Sequence, residues 1–108
     1  MTQETATLYK DIRALLEEPP GSEATGFIER LEHTLTDGYA RALALEAERV
    51  RLERRMGELA GDLHGDPDAP TAELATVVRR LSDADEELTD LRGVLAKLRV
   101  RVRALRVA

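Results

Sequence analysis

Two histidines and a dense population of carboxylates are the side chains in this 108-residue sequence best suited to hold a metal or move a proton. His33 follows Glu29 and Glu32, and a Glu–His pair four residues apart on one helix face can bind a metal ion. The Glu-x-x-His spacing of di-iron bundles would need a glutamate at position 30, where Arg30 stands. His64 closes a helical pattern with no partner motif. Neither histidine completes a ligand set, so no metal and no cofactor is expected.

Adjacent acids such as Glu17-Glu18 and Glu86-Glu87 recur along the chain and mark solvated helix surface rather than an acid/base pair. Cysteine is absent, which removes thiolate nucleophiles, thiolate ligands and disulfides. No glycine-rich phosphate loop follows a strand, and no Ser/His/Asp arrangement can be drawn. An enzyme is therefore the least supported class, and no catalytic residue is assigned.

Charge is the next signal. The net charge of −5 conceals a polarity: after Asp90 there is no acid, while Arg92, Lys97, Arg99, Arg101, Arg103 and Arg106 are all basic. The first 90 residues hold ten basic against 21 acidic side chains, or −11. Arg99, Arg101, Arg103 and Arg106 could grip phosphates or anionic lipid. Against that stand an acidic remainder and the absence of interleaved aromatics, so nucleic acid is not the expected partner.

The elements that position these groups are helices. Leu74, Val77, Leu81, Ala84, Leu88, Leu91, Leu95, Leu98, Val102 and Leu105 alternate in spacings of three and four through more than four heptads. That is the a/d seam of a helix laid along another helix. A second seam runs through Ile28, Leu31, Leu35, Ala42, Leu45, Leu52, Met56, Leu59 and Leu63, in a frame interrupted by Gly38 and Arg49. Gly38 is read as internal to a continuous helix, because the frame is the same on both sides. Arg49 either fixes register or snorkels over the seam edge. Gly57, Gly61 and Gly65, four apart, suggest a helix end that frays.

A shorter amphipathic stretch carries Leu8, Ile12, Leu15 and Leu16 on one face, and Pro19-Pro20-Gly21 must end it. Ser22 is the candidate N-cap of the next helix. Gly65 to Pro70 reads as a tight loop, with Asp68 or Thr71 as the cap of the third helix. The expectation is a single all-α domain with helices over about 3–18, 23–63 and 71–106. The last two form a long antiparallel hairpin, coiled-coil-like, and the first packs on its open end beside Phe27, Ile28 and Leu31. Folding at the loop sets Arg49, Arg51, Arg54 and Arg55 near Asp83, Asp85, Glu86, Glu87 and Asp90, and the basic C-terminal turns beside Glu29, Glu32 and Asp37. The alternation Arg99-Val100-Arg101-Val102-Arg103 has a strand's period, but the heptad frame passes through it, so helix is expected there too.

Residues 97–107 aside, Leu45, Leu52, Met56, Leu81, Leu88 and Leu95 are the expected interaction seam. Tyr39, Leu43, Val50, Val78 and Val94 form a second apolar line outside it. An exposed line of that length calls for a partner. The expected role is a non-enzymatic scaffold, adaptor or regulatory subunit that pairs with itself as a homodimer of four long helices, or with another helical protein. The N-terminus has no basic leader region and no apolar run approaches membrane-spanning length, so the cytoplasm is the expected compartment.

Overall fold

A computed structural model describes residues 2–18, 26–62 and 68–107. These form three helices: α1 (Gln3–Leu16), α2 (Phe27–Asp62) and α3 (Asp68–Val107). No strand occurs among the described residues. The helical hairpin expected from the two seams is present, with α2 antiparallel to α3 and α1 packed against both. The molecule measures 64 × 20 × 15 Å, with a radius of gyration of 18.9 Å. A compact chain of this length would have about 13 Å. Elongation follows from composition, since one Phe, two Tyr and no Trp supply little bulk for a round core.

Helix boundaries show where local chemistry modified the sequence pattern. α1 stops at Leu16 and not at 18, with Glu17 as C-cap donating its N–H to the Arg13 carbonyl at 3.0 Å. A residue that precedes proline is driven out of helical backbone, which brings the end forward. α2 starts at Phe27, four residues later than expected. Gly26 has φ +87, a left-handed conformation that breaks the helix there and suits glycine. α3 starts at Asp68, three residues earlier than expected, and includes Pro70 in its first turn, where no intrahelical acceptor awaits an N–H. Ser22, Leu63, His64 and Gly65 lie outside the described residues. α3 remains helical through 99–103, so the heptad frame prevails over the period-two alternation.

Every a/d position of α3 from Leu74 to Leu105 is buried or half-buried. The main core joins Ile12 of α1, Phe27, Leu31 and Leu45 of α2, and Leu88, Leu91, Leu95 and Leu98 of α3. Burial of each such side chain contributes about 1.5–3 kcal/mol. In the distal half only two helices meet. Leu59, Val77 and Ala84 are buried there, while Leu52, Met56, Leu74 and Leu81 stay half-covered. α2 passes through Gly38 without interruption, and Gly38 is itself buried.

Candidate functional site

The hairpin has two broad faces, and α1 covers one of them over the stretch from Glu87 to Arg101. On α2 the residues beside α1 include Asp37, Arg41 and Ala44. On α3 they are Glu87, Val94 and Arg101, spaced by sevens next to the seam. Glu87 Oε1 accepts the Thr2 N–H at 3.1 Å. At the other end, Arg101 donates to the Leu16 and Glu18 carbonyls at 3.4 and 2.7 Å, and its guanidinium lies 5.5 Å from the Phe27 ring centre. The fourteen residues of α1 rise about 21 Å, as do the fourteen positions from Glu87 to Arg101. α1 therefore lies parallel to α3 with an acid at its N-terminus and a base at its C-terminus, the signs its macrodipole favours.

A polar clamp closes the first of those ends. Thr2 caps α1, its Oγ1 accepting the Thr5 N–H at 3.3 Å. Arg41 of α2 donates to Thr5 Oγ1 at 2.6 Å and to Thr2 Oγ1 at 3.0 Å. Thr5 is fully buried and Glu87 only 8% exposed, so these bonds offset the cost of burying polar groups. Glu87 and Arg101 thus attach α1 to the hairpin.

The opposite face is uncovered. Tyr39, Ala42, Leu43 and Glu46 of α2 and Arg92, Leu95, Ala96 and Arg99 of α3 line a groove of ≈ 510 Å³ on it. At 100° per residue these α2 positions lie across the helix from Arg41 and Ala44. Tyr39 is 40% exposed, Leu43 66%, and Val50 and Val78 49% each, so four of the five outer-line residues are accessible along this side. Val94 is a correction: it is 7% exposed and belongs to the core beneath α1. Its place three residues after Leu91 turns it toward α1, not toward solvent.

The six seam residues face inward within the chain. Leu45, Leu88 and Leu95 are buried, and Leu52, Met56 and Leu81 half-buried, so the seam's apolar surface is consumed mainly in holding α2 to α3.

Ion pairs run along the hairpin edges. Arg49 reaches Asp85 at 3.3 Å and Glu53 at 3.9 Å, with its side chain about a third exposed, and so leans over the seam edge. Arg92 pairs with Glu46, and Arg106 with Glu32. Arg55 departs from the expected set. It holds Glu73 at 2.9 Å and Glu58 at 3.0 Å, not the cluster from Asp83 to Asp90. The hydrogen bond from Arg55 holds the Glu73 carboxyl below the usual carboxylate range, and its bonds to Glu73 and Glu58 raise the Arg55 guanidinium above its ordinary value.

Of the four candidate anion-binding arginines, Arg101 stands apart from Arg99, Arg103 and Arg106, which fall at i, i+4 and i+7 on one side of α3. Arg101 is turned onto the end of α1 and Arg106 onto Glu32, while Arg99 contacts the Tyr39 hydroxyl at 3.4 Å and Arg103 is exposed. His33 lies 3.6 Å from Asp37 on an exposed surface. Among the described residues, no three His, Cys, Asp or Glu side chains converge where a metal could sit. No described helix is long and apolar enough to cross a membrane.

These features define the chain as an all-α helical hairpin with α1 clamped onto one side. No family model matches it, and comparison with curated proteins and with solved structures returns no match.

Proposed function

We propose that this protein is a non-enzymatic helical interaction module, a scaffold, adaptor or regulatory subunit, that self-associates through its uncovered hairpin face. The observation that carries the reading is the accessible apolar line Tyr39, Leu43, Val50 and Val78, left open along a rod 64 Å long. Water-exposed side chains of this kind gain most from a second apolar surface. Half-buried Leu52, Met56 and Leu81 add to it in the distal half, where two helices alone cannot enclose a core. The accessible surface of 7221 Å² exceeds the ~6,000 Å² typical of a compact monomer of this mass, which leaves area available for association. Recognition is helix against helix, with apolar anchors for affinity and edge charges for register. A cytoplasmic location accompanies this proposal.

Light scattering across a concentration series tests it. The expected mass is that of a dimer. A stable monomer at high concentration overturns self-association and leaves docking on a different helical protein as the reading of the same face.

A further inference from the structure

The groove on the uncovered face is a hollow between two closed ion pairs. Arg92–Glu46 bounds one end, and Arg106–Glu32 lies beyond the other. Between them Ala42 and Leu95 form an apolar floor, flanked by Leu43 and Ala96. The hollow has a cause in the sequence. Ala42 and Ala96 are small, and Leu95 packs into the space that a side chain on Gly38 would fill, which withdraws it from the surface. At ≈ 510 Å³ the groove falls within the ~300–1,000 Å³ of small-molecule sites. Its end nearest the C-terminus of α3 lacks acids. Glu46 is taken by Arg92 and Glu32 by Arg106, while Asp37 lies beside His33. Among the described residues neither Arg99 nor Arg103 has a carboxylate partner, and Arg99 donates only to the Tyr39 hydroxyl oxygen at 3.4 Å. Four arginines against two glutamates leave two positive charges here, on neighbours one helical turn apart. Tyr39 accepts from Arg99 through its oxygen, which leaves its own O–H available to donate.

From this geometry we infer that the groove binds a small amphiphile with one carboxylate head and an apolar tail. Arg99 and the Tyr39 O–H present donors to the two carboxylate oxygens, and Arg103 adds its charge beside them. The tail lies over Ala42 and Leu95 and runs toward the Arg92–Glu46 pair, whose charges are already matched. That end therefore offers nothing to a second anionic group. Arg92 and Arg99 are seven residues apart, about 10 Å at helical rise, so an extended chain of about eight carbons fits. The site shares Tyr39 and Leu43 with the association line but does not depend on self-association.

Octanoate is the probe, titrated below its micelle concentration into the isotope-labelled chain and followed by amide NMR. Saturable shifts are expected around Tyr39, Leu43, Ala96 and Arg99, with none around Val77. Arg99→Gln should raise the octanoate Kd about tenfold and Tyr39→Phe about threefold, with helicity unchanged because both side chains are exposed. Octanol carries the same tail without the charge. It should bind about tenfold more weakly than octanoate and be indifferent to Arg99→Gln. Equal binding of the two probes, or no effect of Arg99→Gln on octanoate, overturns the carboxylate head. Absence of any saturable shift overturns the site and leaves the groove to the helix pairing proposed above. Light scattering on the same samples reads self-association separately, so failure of one reading is distinguishable from failure of the other.

Discussion

Gly38 of α2 lies directly beneath Leu95 of α3, so close that a Cβ built on Gly38 would overlap Leu95 Cδ2 and stand 3.3 Å from its Cγ. Leu95 is 2% exposed and belongs to the core cluster, so it has little room to move aside. The glycine that interrupts the α2 seam is therefore the socket for a seam leucine of the facing helix. Gly38→Ala gains about 1 kcal/mol of helix propensity but forces overpacking that costs about 1–3 kcal/mol. Net destabilisation of about 1 kcal/mol is expected in urea denaturation. Gly57→Ala and Gly61→Ala meet no neighbouring atom and should instead stabilise by about 0.5–1 kcal/mol. Equal effects at all three positions would contradict the socket.

Leu88 is 1% exposed at the level where all three helices meet. Leu88→Ala should cost about 2–5 kcal/mol, from lost transfer energy and the cavity left behind. Leu88→Asp adds an unpaired buried charge and should abolish the folded state. Circular dichroism at room temperature reads both. Retention of full helicity by Leu88→Asp would mean that the seam is not where the stability resides.

Glu87 and Arg101 hold opposite ends of α1, and each should matter mainly to that helix. Glu87→Ala and Arg101→Ala each remove a charge-assisted hydrogen bond, at a cost of about 1–3 kcal/mol. Hydrogen exchange should accelerate across Gln3–Leu16 while the amides of α2 and α3 around Leu59 and Val77 keep their protection. Uniform acceleration in all three helices would show that α1 and the hairpin unfold as one unit.

The Arg55–Glu73 pair predicts a dependence on pH. The hydrogen bond from Arg55 depresses the Glu73 carboxyl in the folded chain. Its contribution is therefore present above the unfolded carboxyl's ordinary value and is lost as pH falls through the depressed folded value. Both side chains are accessible, so the effect is small and screened by salt. Wild type and Glu73→Gln should differ slightly in Tm at neutral pH and low salt, and should converge in acid or in high salt. A difference that grows on acidification would contradict the assignment.

The long helices and their antiparallel order are legible in the amino-acid sequence alone. Two seams in one heptad frame, separated by a short Gly- and Pro-containing segment, admit few other solutions. The register is partly legible as well: Arg49 meets Asp85 and Arg106 meets Glu32, whereas Arg55 reaches Glu73. Long arginine side chains near a helix end have several acids within reach, and sequence position alone does not rank them.

The face taken by α1 is not legible in that way. Glu87, Val94 and Arg101 recur at intervals of seven beside the α3 seam, and Thr5 and Ile12 do so on α1. The recurrence is visible in the sequence, but its meaning is not. A residue beside a seam is solvated in a two-helix pair and buried in a three-helix one, and only the docking of α1 distinguishes these cases. For that reason Val94 leaves the outer line and Arg101 the candidate anion-binding set. The role of Gly38 is hidden for a related reason. Heptad spacing, an intrachain property, determined that α2 would be a helix with an apolar stripe. Which leucine of α3 descends onto its missing side chain depends on the axial offset of two rigid rods, and only the packed structure decides that offset.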